Sequence, residues 1–447
     1  MFDRKITWGN GLMMRKFLIA LGALAATAAG PAYAFSPPPF PRFAGINIGA
    51  PQSYDDPNYQ ASLGKLSFVI LSMYPGYKPG GKSMDAAVRA IKAHNPNELV
   101  FMYVNENERD DSGGAFASYD AQLNQMHWWL YAQGCNGGAR VHSAYGAGYY
   151  EINNSLHTRK DQSGDDAVDW MTKFFVQNYF GAAPSLDGLF MDNVFYQPMV
   201  DGDWTCSGQS QSHTSAAAGT ALRQGYQRYF QLVRQLMPGK YQLGNIGDWP
   251  DAKTPIPEYQ GMTDGGVLEA YIGKNYSYET WAGWARMMNN YHQIMSMVKA
   301  PKLVIFNTAG AANDYQTMRY GLASALMDDG YYCYTDTAHG YASVPWFDEF
   351  NAKLGAATTP PQTAAWQNGV YRRDFANGIA LVNPKGNGTQ TVTLETSFVK
   401  LQGSQAPNVN NGATVTRVTL NERDGIILMR RPPARAPNAP SNITIGK

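Results

Sequence analysis

Two acidic residues stand where apolar runs of the sequence break. In "DGLFMDNVFY", residues 187–196, the run stops at Asp192 and Asn193 among aromatic residues, rather than at the Gly or Pro that usually closes a strand. In "GGVLEAYIG", residues 265–273, Glu269 interrupts an otherwise apolar stretch. Burying a carboxylate in such surroundings is costly. Two carboxylates facing one cavity can cut a glycosidic bond: one protonates the departing oxygen, and the other attacks the anomeric carbon or activates water. Aromatic rings offer flat faces to the C–H side of a sugar, while amides and carboxylates bind its hydroxyls. Other readings of the same residues are a loop cap at Asp192, an ion pair of Glu269 with Lys274 or Arg286, and Asp248 in "GNIGDW" as the acid.

Something must bring positions so far apart in the chain together. Eight short apolar runs, at residues 45–49, 66–74, 98–106, 187–194, 242–248, 265–273, 302–308 and 330–336, do not alternate in polarity, as strands covered on both faces should not. Helical patterns lie between them: "SMDAAVRAIKAH" with Ser83 as N-cap, "DDAVDWMTKFFVQNYFG" closing at Gly181, "SAAAGTALRQGYQRYFQLVRQLMPG" and "ETWAGWARMMNNYHQIMSMV". Eight such alternations predict an α/β (β/α)8 TIM barrel. An open doubly wound sheet is the other arrangement, but no Gly-rich phosphate loop follows the first run. Barrel active sites gather at the C-terminal strand ends. Those ends nominate Asp192 and Glu269 as catalytic, and Tyr74, Glu106, Asn193, Tyr196, Asp248, Trp249, Tyr271, Asn307 and Asp336 as substrate-binding. Glu106 and Glu108 in "VNENERDD" read more readily as a solvated loop, and Trp128 and Trp129 as helix packing.

The 447 residues suffice for one large domain and a small one. Arg15 and Lys16 followed by "FLIALGALAATAAG" and "AYA" read as a Sec-type signal peptide, residues 1–34, cut after Ala34. The expected location is periplasmic or secreted, with no membrane anchor after cleavage. The catalytic barrel would occupy 35–361, a C-terminal antiparallel β-sandwich domain 362–431, and a disordered Pro-rich tail 432–447. A formal charge of +1 supplies no field for nucleic acid. Export permits a bridge, here expected between Cys135 and Cys206 with Cys333 buried and free. The seven histidines show no metal-ligand spacing and no Gly-x-Ser-x-Gly elbow occurs, so no cofactor is expected.

"DGLFMDNV", "GVLEAYIG" and "GVYRRDFANGIALVNP" resemble a family of bacterial (β/α)8 glycoside hydrolases, distant relatives of α-galactosidase-like and polygalactosaminidase barrels. The resemblance spans residues 40–431 and implies a nucleophile or base at Asp192, a general acid at Glu269 and a trailing β domain. The α-galactosidase group usually carries Asp where this chain has Glu269. The expectation is an exported glycoside hydrolase with a carbohydrate substrate, acting through two carboxylates with retention. Its rivals are a non-catalytic carbohydrate-binding barrel and a carbohydrate esterase or deacetylase.

Overall fold

The computed structural model describes residues 35–247, 249, 256–273 and 277–431; the expected signal peptide, the tail, Lys274 and Asp248 lie outside them. Strands β1 (Ala44–Asn47), β2 (Phe68–Leu71) and β3 (Leu99–Val104) come first, followed by the short β4 (Glu108–Arg109), β5 (His142–Ser143) and β6 (Gly146–Glu151). Then come β7 (Gly188–Met191), β8 (Tyr241–Asn245), β9 (Gly265–Ile272), β10 (Leu303–Gly310) and β11 (Tyr331–Asp336). All of these except β4, β5 and β6 form one parallel sheet in the order β1-β2-β3-β7-β8-β9-β10-β11. A parallel bridge between Phe43 and Tyr332, with Tyr332 N donating to Arg42 O at 2.8 Å, returns the last strand to the first. The sheet is therefore a closed (β/α)8 barrel.

Successive residues of a strand point to opposite faces. Ala44, Ile46, Phe68, Ile70, Leu99, Phe101, Phe190, Leu243, Val267, Leu303, Ile305, Tyr331 and Cys333 share one parity and form a buried plug inside the barrel. Their strand neighbours, Val69, Leu71, Val100, Met102, Leu189, Met191, Leu268, Val304 and Phe306 among them, join the larger cluster under the helices. Covered on both faces, the strands read as continuous apolar runs.

The surrounding helices are α1 (Pro57–Leu63), α2 (Met84–His94), α3 (Ala117–Met126), α4 (Ala167–Phe175), α5 (Ala216–Leu236), α6 (Tyr278–Ala282), α7 (Trp284–Met297) and α8 (Tyr315–Ala325). Side-chain caps start several of them: Ser83 accepts from Ala86 N, Asp166 from Asp169 N, Ser215 from Ala218 N and Asp314 from Thr317 N. Past α4 the chain continues through a wide turn over Val176–Phe180 and closes with Gly181 as its C-cap, at a right-handed φ of −62°. Trp128 and Trp129 are buried, though just beyond α3 rather than on it, with their indoles donating to Arg159 O and Asn124 Oδ1.

After the barrel, β12 (Tyr371–Phe375), β13 (Gly378–Asn383), β14 (Gln390–Lys400), β15 (Thr414–Leu420) and β16 (Asp424–Arg430) form an antiparallel domain in the order β12-β13-β16-β14-β15. A register shift in β14 between Thr393 and Phe398 lets this single sheet curl. Ile379, Leu381, Ile426 and Leu428 then meet Val392, Leu394, Val418 and Leu420 in a core of their own, so one folded-over sheet takes the place of two stacked ones. The opposite parity, Ala380, Val382 and Ile427, packs on the barrel. Gly425 is required there, because a Cβ would stand 2.7 Å from the Arg319 carbonyl of α8.

A buried ion pair locks the same contact: Arg319 Nε and Nη2 donate to the two oxygens of Asp424 at 3.1 and 3.0 Å. Asp424→Ala is expected to cost about 3–5 kcal/mol, because it strands a buried guanidinium. Urea unfolding checks this, and a loss under about 1 kcal/mol would deny the pair that role.

Candidate active site

The inward parity that fills the barrel plug, continued one step toward the C-terminal strand ends, gives Tyr103 on β3, Asp192 just after β7, Asn245 on β8 and Glu269 on β9. All four line one cavity of about 1050 Å³ at that end of the barrel. Tyr103 Oη donates to Asp192 Oδ2 at 2.6 Å, and Asn193 N donates to Asp192 Oδ1 at 2.9 Å. Asn245 Nδ2 donates to both acids, to Asp192 Oδ1 at 3.0 Å and to Glu269 Oε2 at 2.9 Å. Because these bonds share one nitrogen, the two oxygens cannot be farther apart than their combined length of about 5.9 Å (3.0 and 2.9 Å). Tyr341 Oη donates to the other Glu269 oxygen.

Local backbone features aim Glu269. Leu268 pairs with Phe306 and Ile272 with Thr308, so β9 bulges between these pairs. Ala270 adopts φ +49°, and its N–H is held by Asn307 Oδ1 at 3.1 Å. The Asn307 amide in turn donates to Thr335 Oγ1 at 2.9 Å. Glu269 opens onto the cavity, yet the surrounding walls strip much of its solvent. Burial holds its carboxyl above the usual carboxylate range, and the Asp192 charge adds to the rise, against the bonds from Tyr341 and Asn245. Tyr341 itself follows a turn fixed by Asp336, whose carboxylate accepts from Ala338 N at 3.0 Å and bonds His339 Nδ1.

A third acid, Glu108, also lines the cavity and accepts a hydrogen bond from Ser143 Oγ. Burial, with the Asp192 charge second, pushes its carboxyl up to about 6. It sits on β4, within the insert formed by β4, β5 and β6 between β3 and β7.

The other sequence candidates are dispersed. Asn193 and Tyr271 line the cavity; Asn193 has φ +53°, and its carbonyl accepts from Asn107 Nδ2 and Tyr226 Oη. Tyr74 borders an adjoining space of about 170 Å³ that shares Tyr103, Asn105 and Glu108 with the cavity. Glu106 has the outward parity of Val100, Met102 and Val104, so it is buried against α4, where Thr172 Oγ1 bonds it at 3.3 Å. Asp336 has the outward parity of Tyr332 and Tyr334, and Asn307 is buried beneath the bulge, so both position other groups rather than line the cavity. Trp249 is buried, donating to Val194 O at 2.9 Å, and Tyr196 packs under Arg223, whose guanidinium lies 4.4 Å from its ring centre. Tyr103, Asn245 and Tyr341 were not nominated by the sequence, and Glu106 and Glu108 do not form the solvated loop read there: Glu106 is buried and Glu108 lines the cavity. Parity along β3 and β8 marks Tyr103 and Asn245, whereas nothing in the sequence marks Tyr341.

Cys135 and Cys206 are bridged with Cα atoms 5.2 Å apart, and Cys333 is buried and free. The bridge joins the segment after β3 to the segment after β7. Asp203 reinforces it, accepting from Gly134 N, Ser207 N and Gly208 N. The two cysteines are 71 residues apart in sequence, so replacing both with Ser is expected to cost about 4 kcal/mol by the loop-entropy account. Thermal melting of the oxidised wild type against the double variant measures it; coincident curves would refute a stabilising bridge.

Residues 92–379 match the hypothetical glycosyl hydrolase family 15. No curated protein matches the chain. Among solved structures, the glycoside hydrolase domain of PelA from Pseudomonas aeruginosa is 13% identical, with 69% of this chain and 98% of that one covered at a TM-score of 0.40. The α-amylase of Geobacillus thermoleovorans is 9% identical, covering 89% and 99%, with a TM-score of 0.45. The α-galactosidase AgaA of Geobacillus stearothermophilus is 10% identical, covering 89% and 56%, with a TM-score of 0.43.

Proposed function

The chain belongs to the hypothetical glycosyl hydrolase family 15, and from that premise we propose that it hydrolyses glycosidic bonds of a carbohydrate with retention, using Asp192 as nucleophile and Glu269 as acid and base. The observation that carries this reading is the shared Asn245 amide. It holds the nearest oxygens of the two carboxylates no more than about 5.9 Å apart, which favours the close spacing of roughly 5–5.5 Å used by retaining enzymes.

In the first step an oxygen of Asp192 bonds to the anomeric carbon, the bond from that carbon to the departing oxygen breaks, and the Glu269 proton goes to that oxygen. In the second step water adds to the anomeric carbon, Asp192 leaves as carboxylate, and the water proton returns to Glu269. Tyr103, Asn193 and Asn245 converge on Asp192 as donors and fix its orientation for attack. Desolvation of the Glu269 carboxyl by the cavity walls suits it to carry the proton delivered in the first step. We also propose export, on the sequence reading of residues 1–34; no helix among the described residues is long and apolar enough to cross a membrane.

The test is a reducing-end assay of the purified protein on a panel of polysaccharides and aryl glycosides, with the anomer of the first product read by NMR. Release of the same anomer as the substrate supports the proposal. Inverted product would overturn retention, and no hydrolysis of any glycan would overturn the glycosidase reading.

A further inference from the structure

The cavity walls carry aromatic rings that bond cleavage itself does not use. Tyr145, Tyr149 and Trp281 line it while remaining 56%, 45% and 61% exposed. Tyr145 lies in the turn joining β5 to β6, and Tyr149 on β6, in the insert that follows β3. Trp281 lies on α6, which follows β9. In the barrel order β3 and β9 are separated by β7 and β8, the strands that lead to Asp192 and carry Asn245. The aromatic rings therefore rise on two separate parts of the rim, with the Asp192 side of the site between them. Large exposed rings gathered at one opening are a surface built to meet a ligand. A cavity of about 1050 Å³ is also at the upper end of what a drug-sized molecule fills, and so holds several sugar units. Its described lining carries the carboxylates Glu108, Asp192 and Glu269, which present like charge to an anionic chain.

Resting on the glycosidase reading above, we propose that the cavity binds an internal stretch of a glycan chain without anionic groups, with sugar units stacked on Trp281 on one side of the cut and on Tyr145 and Tyr149 on the other, so that the enzyme cuts within chains.

The experiment uses purified enzyme on a panel of neutral, cationic, uronate-bearing and sulfated polysaccharides, following reducing ends and chain length together. On the polysaccharide that it cuts, average chain length is expected to collapse early, with oligosaccharides preceding single sugars. Trp281→Ala and Tyr149→Ala should each raise KM for that polymer roughly tenfold and lengthen or shorten the products, with a smaller change on an aryl glycoside of one sugar. These rings are exposed, so the variants should fold, which circular dichroism verifies. Release of single sugars from the first turnovers, an unchanged polymer KM in both variants, or cleavage confined to anionic chains would overturn this proposal while leaving the glycosidase reading in place. Absence of hydrolysis on every substrate would overturn that reading instead.

Discussion

Asp192→Asn is expected to lower the hydrolysis rate on the order of 10³-fold or more on every substrate, natural or activated. In the proposed reaction this residue takes up the anomeric carbon, and no leaving group, however good, removes the need for that bond. The substitution changes one oxygen to an amide of nearly the same size, so the effect should fall on kcat rather than on folding. A double-displacement nucleophile has a further signature. A small anion such as azide can replace the lost carboxylate and should give a glycosyl azide of inverted configuration. If Asp192→Asn kept a rate within tenfold of wild type, the nucleophile would have to be sought elsewhere. Glu108, which lines the same cavity, would then be the next residue to replace.

Glu269→Gln should behave differently, because in the proposed reaction it removes the proton donor of the first step and the base of the second. Natural glycans, whose leaving alkoxide needs that proton, should lose roughly 10²- to 10⁴-fold in rate. A nitrophenyl glycoside departs with little help, so its first step should survive, and the glycosyl-enzyme should accumulate as a burst because no base remains to activate water. The pH profile supplies a second check. Glu269 acts as an acid only while protonated, so kcat/KM should fall as pH rises through its pKa, which burial holds above the usual carboxylate range. That basic limb should disappear in the variant. If it persisted, Glu108, whose carboxyl is pushed up to about 6, would be its source.

How much of this could be read in the sequence follows from what each residue's position depends on. The barrel was legible because eight buried strands leave eight apolar runs, and Asp192 and Glu269 were legible because a carboxylate breaks such a run. Assigning roles to the other strand ends required knowing which way each side chain points. Glu106 and Asp336 fail on parity alone, one position away from facing inward. The same rule, applied upward from the plug residues Phe101 and Leu243, would have selected Tyr103 and Asn245. Asn307 has the inward parity but is held beneath the Ala270 bulge, a feature that no period-two pattern announces. Glu108 and Tyr341 arrive from outside the barrel strands: one on an inserted strand that pairs only within a three-stranded sheet, the other on a turn pinned by Asp336. Their presence depends on long-range packing of loops, and local sequence carries no trace of it.

The amide of Asn245, shared between two carboxylates, also bears on timing. The charge of Asp192 is one of the influences that keep the proton on Glu269. In the proposed reaction, once Asp192 is esterified to the sugar, that charge is gone, and with it part of what made Glu269 reluctant to ionise. Glu269 has by then surrendered its proton and faces a neutral ester, the setting in which a carboxylate can draw a proton from water. In the proposed reaction the two acids thus work as an escapement: each chemical step on one releases the other into the protonation state that the following step requires. A single side chain can then give and take the same proton without leaving its place between Tyr341 and Asn245.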